Sequence, residues 1–493
     1  MASVIRSAAM SRAAVVIACC LCAFRAQGAL ASPRSDPTSG RSVFTGATVA
    51  TATSIDLNPA AIGPGTTDYA YLAATAVLDQ YGVRPDSLDI TNGAITPGET
   101  IHDDEASPGG MVAYVWHIPG DRATLAGELR SAPAETFIAN RDALAYHTLG
   151  GGQRTIRAGV GASIRIVNEL YFGLSLNSDA TYLHLHYARD AALENGRGPN
   201  GIDSDCGGAP CGIQNPLAQE HYDVNAATSL LSTRNLVLNV GIMVELAKDV
   251  WLGVSYHAPP GLEVRTELTG TMDVLQAPRD GANLLHGASS VFLSQPASAD
   301  AELRARLPAK LDLHVGARWE DLSRLQAYDV RGFGSTFFAA NIPEWQLRAR
   351  GFHDPLSVWA GIEQVELDQN DDWLRFGARI GFETSSLRDQ ETAPLSISPF
   401  SYTADVGLQA RLKHVLPKAV FQASYGVQYF RPLTVANSSF DPRTRIDCIA
   451  SDYDYSTAAC TSVRNGYGIP TADGRYDRLE HAIRIALIYE IGP

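Results

Sequence analysis

A period of two runs through this chain from about residue 70 to its end. Between residues 303 and 319, Leu303, Ala305, Leu307, Ala309, Leu311, Leu313, Val315, Ala317 and Trp319 fall on one face of an extended backbone. Arg304, Arg306, Lys310, Asp312, His314 and Arg318 fall on the other. A helix would place its apolar residues three and four apart, so this pattern predicts strand. It recurs in 156–166, 236–246, 374–382 and 479–491. Many of these runs exceed ten residues, whereas strands of soluble sandwiches average about 5–6. Strands of about 9–11 residues, apolar on one face and polar on the other, suit a barrel crossing a bilayer, because closure alone pairs every backbone group in hydrocarbon.

Connection lengths sharpen that expectation. Fourteen strands are predicted, over 69–79, 109–118, 122–131, 153–166, 169–187, 232–247, 250–270, 303–319, 322–330, 350–366, 371–384, 399–413, 418–431 and 476–491. Short connections, such as Gly120-Asp121, Lys248-Asp249 and Glu320-Asp321, alternate with long ones. Outer-membrane barrels have this asymmetry, short turns on the periplasmic side and long loops outside. The fold class expected is all-β, a fourteen-stranded antiparallel transmembrane barrel with both termini in the periplasm. No apolar run beyond the leader reaches the roughly 18 residues of a membrane helix.

The N-terminus reads as a secretory leader, residues 1–31, with Arg6 and Arg12 before an apolar run and Ala29-Leu30-Ala31 as the cleavage site. A lipoprotein signal at Cys19 is the competing reading, and its apolar run is short. Removing Arg6, Arg12 and Arg25 with the leader leaves 36 basic against 53 acidic residues, a net charge of −17, which argues against a nucleic-acid partner. The cysteines left are Cys206, Cys211, Cys448 and Cys460, each pair close in sequence within a polar segment. In an exported chain they are expected as two local disulfides, Cys206–Cys211 and Cys448–Cys460. Zinc is the alternative, although the spacing fits no finger.

Ahead of the first strand lies FTGATVATATSIDLNPAAIG, residues 44–63. It is small and weakly polar, makes neither a good strand nor an amphipathic helix, and holds Gly46 together with Asn58-Pro59-Ala60. A linker is the bland reading. A fourteen-stranded lumen, however, lies between the side-chain-filled eight-stranded barrel and the open channel of about 16–18 strands, and it needs filling. Residues 32–66 are therefore assigned as an N-terminal plug and 67–493 as the barrel.

With this organisation the chain resembles the FadL-type outer-membrane transporters of long-chain fatty acids and other hydrophobic compounds. TGATVATATSIDLNPAAI (45–62) resembles that family's plug, which also carries Asn-Pro-Ala near its end. Residues 155–176, 236–259 and 303–319 are similar to its barrel strands. Two departures are the N-terminal SPRSDPTSGRS, where the family often has Gly-Phe, and the C-terminal Ile-Gly-Pro in place of an aromatic residue. The resemblance implies passive uptake of a hydrophobic small molecule or fatty acid through an internal pocket, with release when the plug shifts.

Candidate contacts for a carboxylate headgroup are the lumen-facing Arg157, Arg304, Arg306 and Lys310, with Arg165, Arg375, Arg379 and Arg484 on the same predicted face. The alternative for each is an internal charge network with Asp312, Asp405, Glu480 and Glu490. His184 and His186 share a strand face and could ligate a metal, or simply mark the outer rim; a bulge is expected between Leu176 and Leu183. Pro259-Pro260 and Pro308 read as kinks or as the rim, and Asp368, Asp371 and Asp372 as a solvated turn rather than a calcium site. No nucleophile elbow, HExxH or phosphate loop is present, so no enzyme, cofactor or metal is expected. The chain is expected as a monomer in contact with outer-membrane lipid. The rivals are a diffusion porin for polar solutes, and a barrel enzyme or structural surface protein.

Overall fold

The computed structural model describes residues 42–88, 95–120, 122–139, 144–190, 219–229, 235–258, 265–276, 283–294, 296–325, 327–340, 342–369, 372–411, 417–436, 438 and 470–491. The leader, the four cysteines of the two expected disulfides, Pro259-Pro260 and Asp371 lie outside the described residues.

Among the described residues the strands are β1 (Tyr69–Leu88), β2 (Ile95–Pro97), β3 (Ile101–His117), β4 (Ala123–Ser131), β5 (Glu135–Thr136), β6 (Gly150–Val167), β7 (Leu170–Asp190), β8 (Gln219–Ala227), β9 (Leu236–Ala247), β10 (Val250–Ala258), β11 (Arg265–Gln276), β12 (Asn283–Ser294), β13 (Ser298–Leu307), β14 (Leu311–Glu320), β15 (Ala327–Phe333), β16 (Trp345–Ala349), β17 (Leu356–Gln369), β18 (Asp372–Glu383), β19 (Ser401–Arg411), β20 (Ala419–Phe430), β21 (Leu433–Val435) and β22 (Pro470–Glu490). Fourteen of them close an antiparallel barrel in the order β1, β3, β4, β6, β7, β9, β10, β13, β14, β17, β18, β19, β20, β22 and back to β1. The seam joins the first and last strands, with Tyr69 opposite Glu490. The barrel exterior is an apolar belt that includes Leu125, Val160, Leu174, Ile242, Val254, Val315, Ile380 and Ile483. Tyr256, Trp319, Phe382, Tyr402 and Tyr429 ring it at the long-loop end, and Trp116 and Tyr489 at the short-turn end.

The expected strand count is met, but three of the expected spans either divide or leave the wall. Residues 303–319 are a hairpin: β13 and β14 meet across the 3-10 turn Pro308–Lys310. Leu307 pairs with Leu311 and Leu303 with Val315, so odd residues stay outward on both arms and the alternation passes through the turn unbroken. Residues 322–330 supply no wall strand; they hold a 3-10 turn and the start of β15. One hairpin read as a single strand and one strand too many cancel. Asp321 accordingly lies at the long-loop end, not in a short turn. Residues 250–270 also divide, into the wall strand β10 and the start of β11.

Above the long-loop end the same sheet branches from β7 into an extension, in the order β7, β8, β11, β12, β15, β16. Its inner face buries Leu183, Leu185, Tyr222, Val224, Leu268, Met272, Val291 and Tyr328 in one apolar cluster over the mouth. The bulge expected between Leu176 and Leu183 is absent: β7 pairs with β6 in unbroken register from Tyr171 opposite Arg165 up to His186 opposite Gly150, and the one irregularity of this pair lies below, between Arg165 and Val167.

Candidate functional site

Residues 42–65 run inside the lower half of the barrel and are buried almost throughout. They contain one helical turn, Ser54–Leu57, and one 3-10 turn, Pro59–Ile62. Asn58 is fully buried and joins the two. Its Oδ1 accepts from Ala60 N at 3.1 Å, capping the second turn, while its Nδ2 donates to Ala47 O at 2.7 Å and to Ile242 O of the wall at 3.2 Å. Pro59 occupies the first position of that turn, where its missing N–H costs nothing.

So short a helix leaves its last carbonyls without intrahelical partners. The wall supplies them. Ser175 Oγ donates to Ile55 O at 2.8 Å, Asn239 Nδ2 to Asp56 O at 3.4 Å, Ser255 Oγ to Leu57 O, and Ser163 Oγ to Ala60 O at 3.0 Å. Close approach needs wall positions without side chains. A Cβ on Gly173 would stand 2.2 Å from the Pro59–Ala60 peptide, one on Gly241 2.0 Å from Asn58 Oδ1, and one on Gly377 2.2 Å from Val43. Gly46 has the same cause, because a Cβ there would meet the Glu302 carboxylate, which accepts from Thr48 N at 3.1 Å. The left-handed backbone in this stretch is at Phe44 (φ 69°), not at Gly46.

Charge fixes the segment at two further points. Asp56 accepts from Arg130 Nη1 at 2.7 Å and from Arg157 Nη1. Arg157 also holds Asp179 through two hydrogen bonds of 2.7 Å. Burial alone would raise the Asp56 carboxyl, but Arg130 and Arg157, with His257 nearby, hold it well below the usual carboxylate range. At the N-terminal end of the segment, Arg379 Nη1 donates to Ser42 O at 3.1 Å and Thr45 O at 3.3 Å, and Arg484 Nη1 to Ser42 Oγ at 3.1 Å.

Two cavities flank this segment. The upper one, about 240 Å³, has Asp56 in its floor and Arg130, Arg157, Arg318 and Arg379 in its wall, beside apolar Val237, Leu293 and Trp359. The lower one, about 290 Å³, opens at the short-turn end between Thr48, Ala50 and Pro64 of the segment and Met243, Trp251, Arg304 and Arg306 of the wall.

The four arginine and lysine candidates therefore separate. Arg157 stands in the upper cavity; Arg304 and Arg306 border the lower one, both on Asp312, the latter at 3.0 Å; Lys310 sits in the hairpin turn beneath. Arg375 pairs with Glu363 at 3.1 Å. Of the network carboxylates, Asp312 takes two arginines, Glu480 faces Arg478 at 3.4 Å and Glu490 pairs with Arg411. Sequence reasoning missed Asp56, Arg130 and Arg318. Asp56 is the one acidic residue in 44–63, and that isolation was the available signal.

The same architecture occurs in solved structures. A Pseudomonas aeruginosa FadL homologue superposes over 94% of this chain and 100% of its own, with a TM-score of 0.70 at 15% identity. The P. putida toluene transporter TodX covers 92% of this chain and 100% of its own, with a TM-score of 0.58 at 12% identity. The Ralstonia pickettii toluene transporter TbuX covers 95% and 100%, with a TM-score of 0.54 at 14% identity. No family model and no curated protein matches the chain. At these identities the likeness establishes a shared fold.

Proposed function

We propose that the chain is a passive outer-membrane channel for hydrophobic and amphipathic small molecules, closed by residues 42–65 acting as a plug. One observation carries this reading: Arg130, Arg157 and Arg379 line the upper cavity and also hold the plug, at Asp56 and at Ser42 and Thr45. A ligand entering from above meets the plug's own anchors. The solved structures of like fold include a FadL homologue and toluene transporters.

Hydrocarbons and long-chain fatty acids are the cargo classes. A dry cavity of about 150 Å³ already accepts benzene, so about 240 Å³ holds a small aromatic molecule or the head of a longer chain. A carboxylate head is met by Arg157, and Arg304 and Arg306 stand at the exit. We place the short turns, and with them Tyr69 and Glu490 at the barrel seam, on the periplasmic side, as in other outer-membrane barrels.

The test is uptake by cells of a strain lacking its own hydrophobic-compound channels. Cells carrying the protein take up labelled fatty acid or toluene faster than the parent strain. Unchanged uptake of both, with faster entry of small sugars, overturns the reading in favour of a polar diffusion porin.

A further inference from the structure

Four of the twelve histidines lie on the outer face of the sheet above the barrel: His184 and His186 on β7, His221 on β8 and His286 on β12. The register aligns two of them with two carboxylates. His186 faces Asp223, Asp223 faces Asp273, and Asp273 faces His286, giving one row across four strands. Two carboxylates directly opposed on neighbouring strands repel, so a cation is favoured there.

The left half of the row is the denser. His184 Nε2 lies 2.9 Å from Asp223 Oδ1. That is close to the donor–donor edge of about 3.3 Å in a tetrahedron with bonds of about 2.0 Å. The His184 and His186 rings stack with centroids 6.5 Å apart, and His186 meets His221 edge-on at 6.2 Å. Imidazoles sharing a tetrahedral zinc have centroids roughly 5 Å apart, so a shift of about 1 Å is needed. Among the described residues no three such side chains yet meet at one point. Partly exposed rings reorient freely on the picosecond-to-nanosecond scale, so closure asks nothing of the backbone.

We propose that His184, His186, His221 and Asp223 form a binding site for a borderline divalent cation of the zinc type on the outer surface. The two histidines at i and i+2 project from the same strand face, which holds their spacing by the pleat rather than by a loop.

The probe is Zn2+ itself, titrated calorimetrically into the full-length protein in detergent after chelator treatment, with Mg2+ as the control. The expected result is saturation at one ion per chain, no competition from Mg2+, and an absorption-edge spectrum with imidazole and oxygen ligands. His184→Gln with His186→Gln should weaken binding beyond the ~10–100-fold typical of losing an outer-shell partner. His221→Gln alone is the second variant should the double one fail the heat-modifiability test for a folded barrel. Unchanged affinity in these variants, sulfur in the coordination shell, or no saturable binding overturns the site.

Discussion

Asp56 sits where an anion arriving in the upper cavity would also settle, because Arg130 and Arg157 serve both. Its carboxyl is held below its ordinary value in the seated plug. A depressed value means that the anchor contributes fully above the ordinary carboxylate range and fades only as pH falls through the lower, seated value. The plug should therefore stay seated through mildly acid conditions in which an ordinary carboxylate protonates. Asp56→Asn removes the charge and keeps the shape. We expect it to raise the open fraction in single-channel recordings by about tenfold or more, equivalent to about 1.4 kcal/mol, and to abolish the acid-dependent part of opening. An open fraction equal to that of the parent at every pH would show that the wall's serines and Asn58 hold the plug unaided. Gly241 makes the complementary case. Gly241→Val drives a side chain into Asn58, at an overpacking cost of about 1–3 kcal/mol, while its neighbours in β9 keep their ladder bonds. Increased conductance with an unchanged barrel melting temperature is the expected outcome, and a lowered melting temperature with no added current would place the strain in the wall. The Gly241 contact was not readable from the sequence, since a strand glycine that seats the plug looks like any other until the plug is beside it.

At the scale of the strand, β7 explains both a success and an error of sequence reading. Even residues point outward along its whole length: Leu174 and Leu176 are exposed low on the strand, and Tyr182 higher up. Odd residues point inward: Ser175 and Asn177 are buried low on the strand, and Leu183 and Leu185 higher up. The geometry never changes, but the surroundings do. Lipid lies outside the lower part and a wet lumen inside it; water lies outside the upper part and an apolar cluster inside it. The apolar residues therefore change face with no bulge, and the phase flip marks the membrane boundary. Spin labels at Leu174 and Leu176 should be relaxed by oxygen dissolved in lipid, and labels at His184 and His186 by a water-soluble quencher. Equal response at all four positions would remove the boundary. The hairpin of β13 and β14 was misread for a related reason. A turn that leaves the pairing sum even preserves the alternation, and only Pro308 signalled the break.

For the whole molecule, the barrel and its plug answer to different forces, so they should separate experimentally. Period two, long strands and unequal connections made the wall legible because backbone pairing in lipid admits few other solutions. The plug was legible by composition, by the need to fill a lumen of that width and by the resemblance of residues 45–62 to a known plug segment. Its seat depends on wall hydroxyls, glycines and arginines that the wall's own ladder does not require. Deleting residues 32–61 should thus leave a heat-modifiable, folded barrel. The upper and lower cavities, now divided by residues 42–65, would join into one wet conduit lined by Arg130, Arg157, Arg304 and Arg306. Planar-bilayer recordings of the full-length and truncated proteins make the comparison. We expect the truncated form to carry a steady ionic current and the full-length form to be closed for most of the recording. Equal closure would mean that the apolar cluster over the mouth seals the barrel by itself and that the segment is a strut. If the full-length protein already conducts as freely as the truncation, the plug does not gate, and the charged lumen is that of a porin.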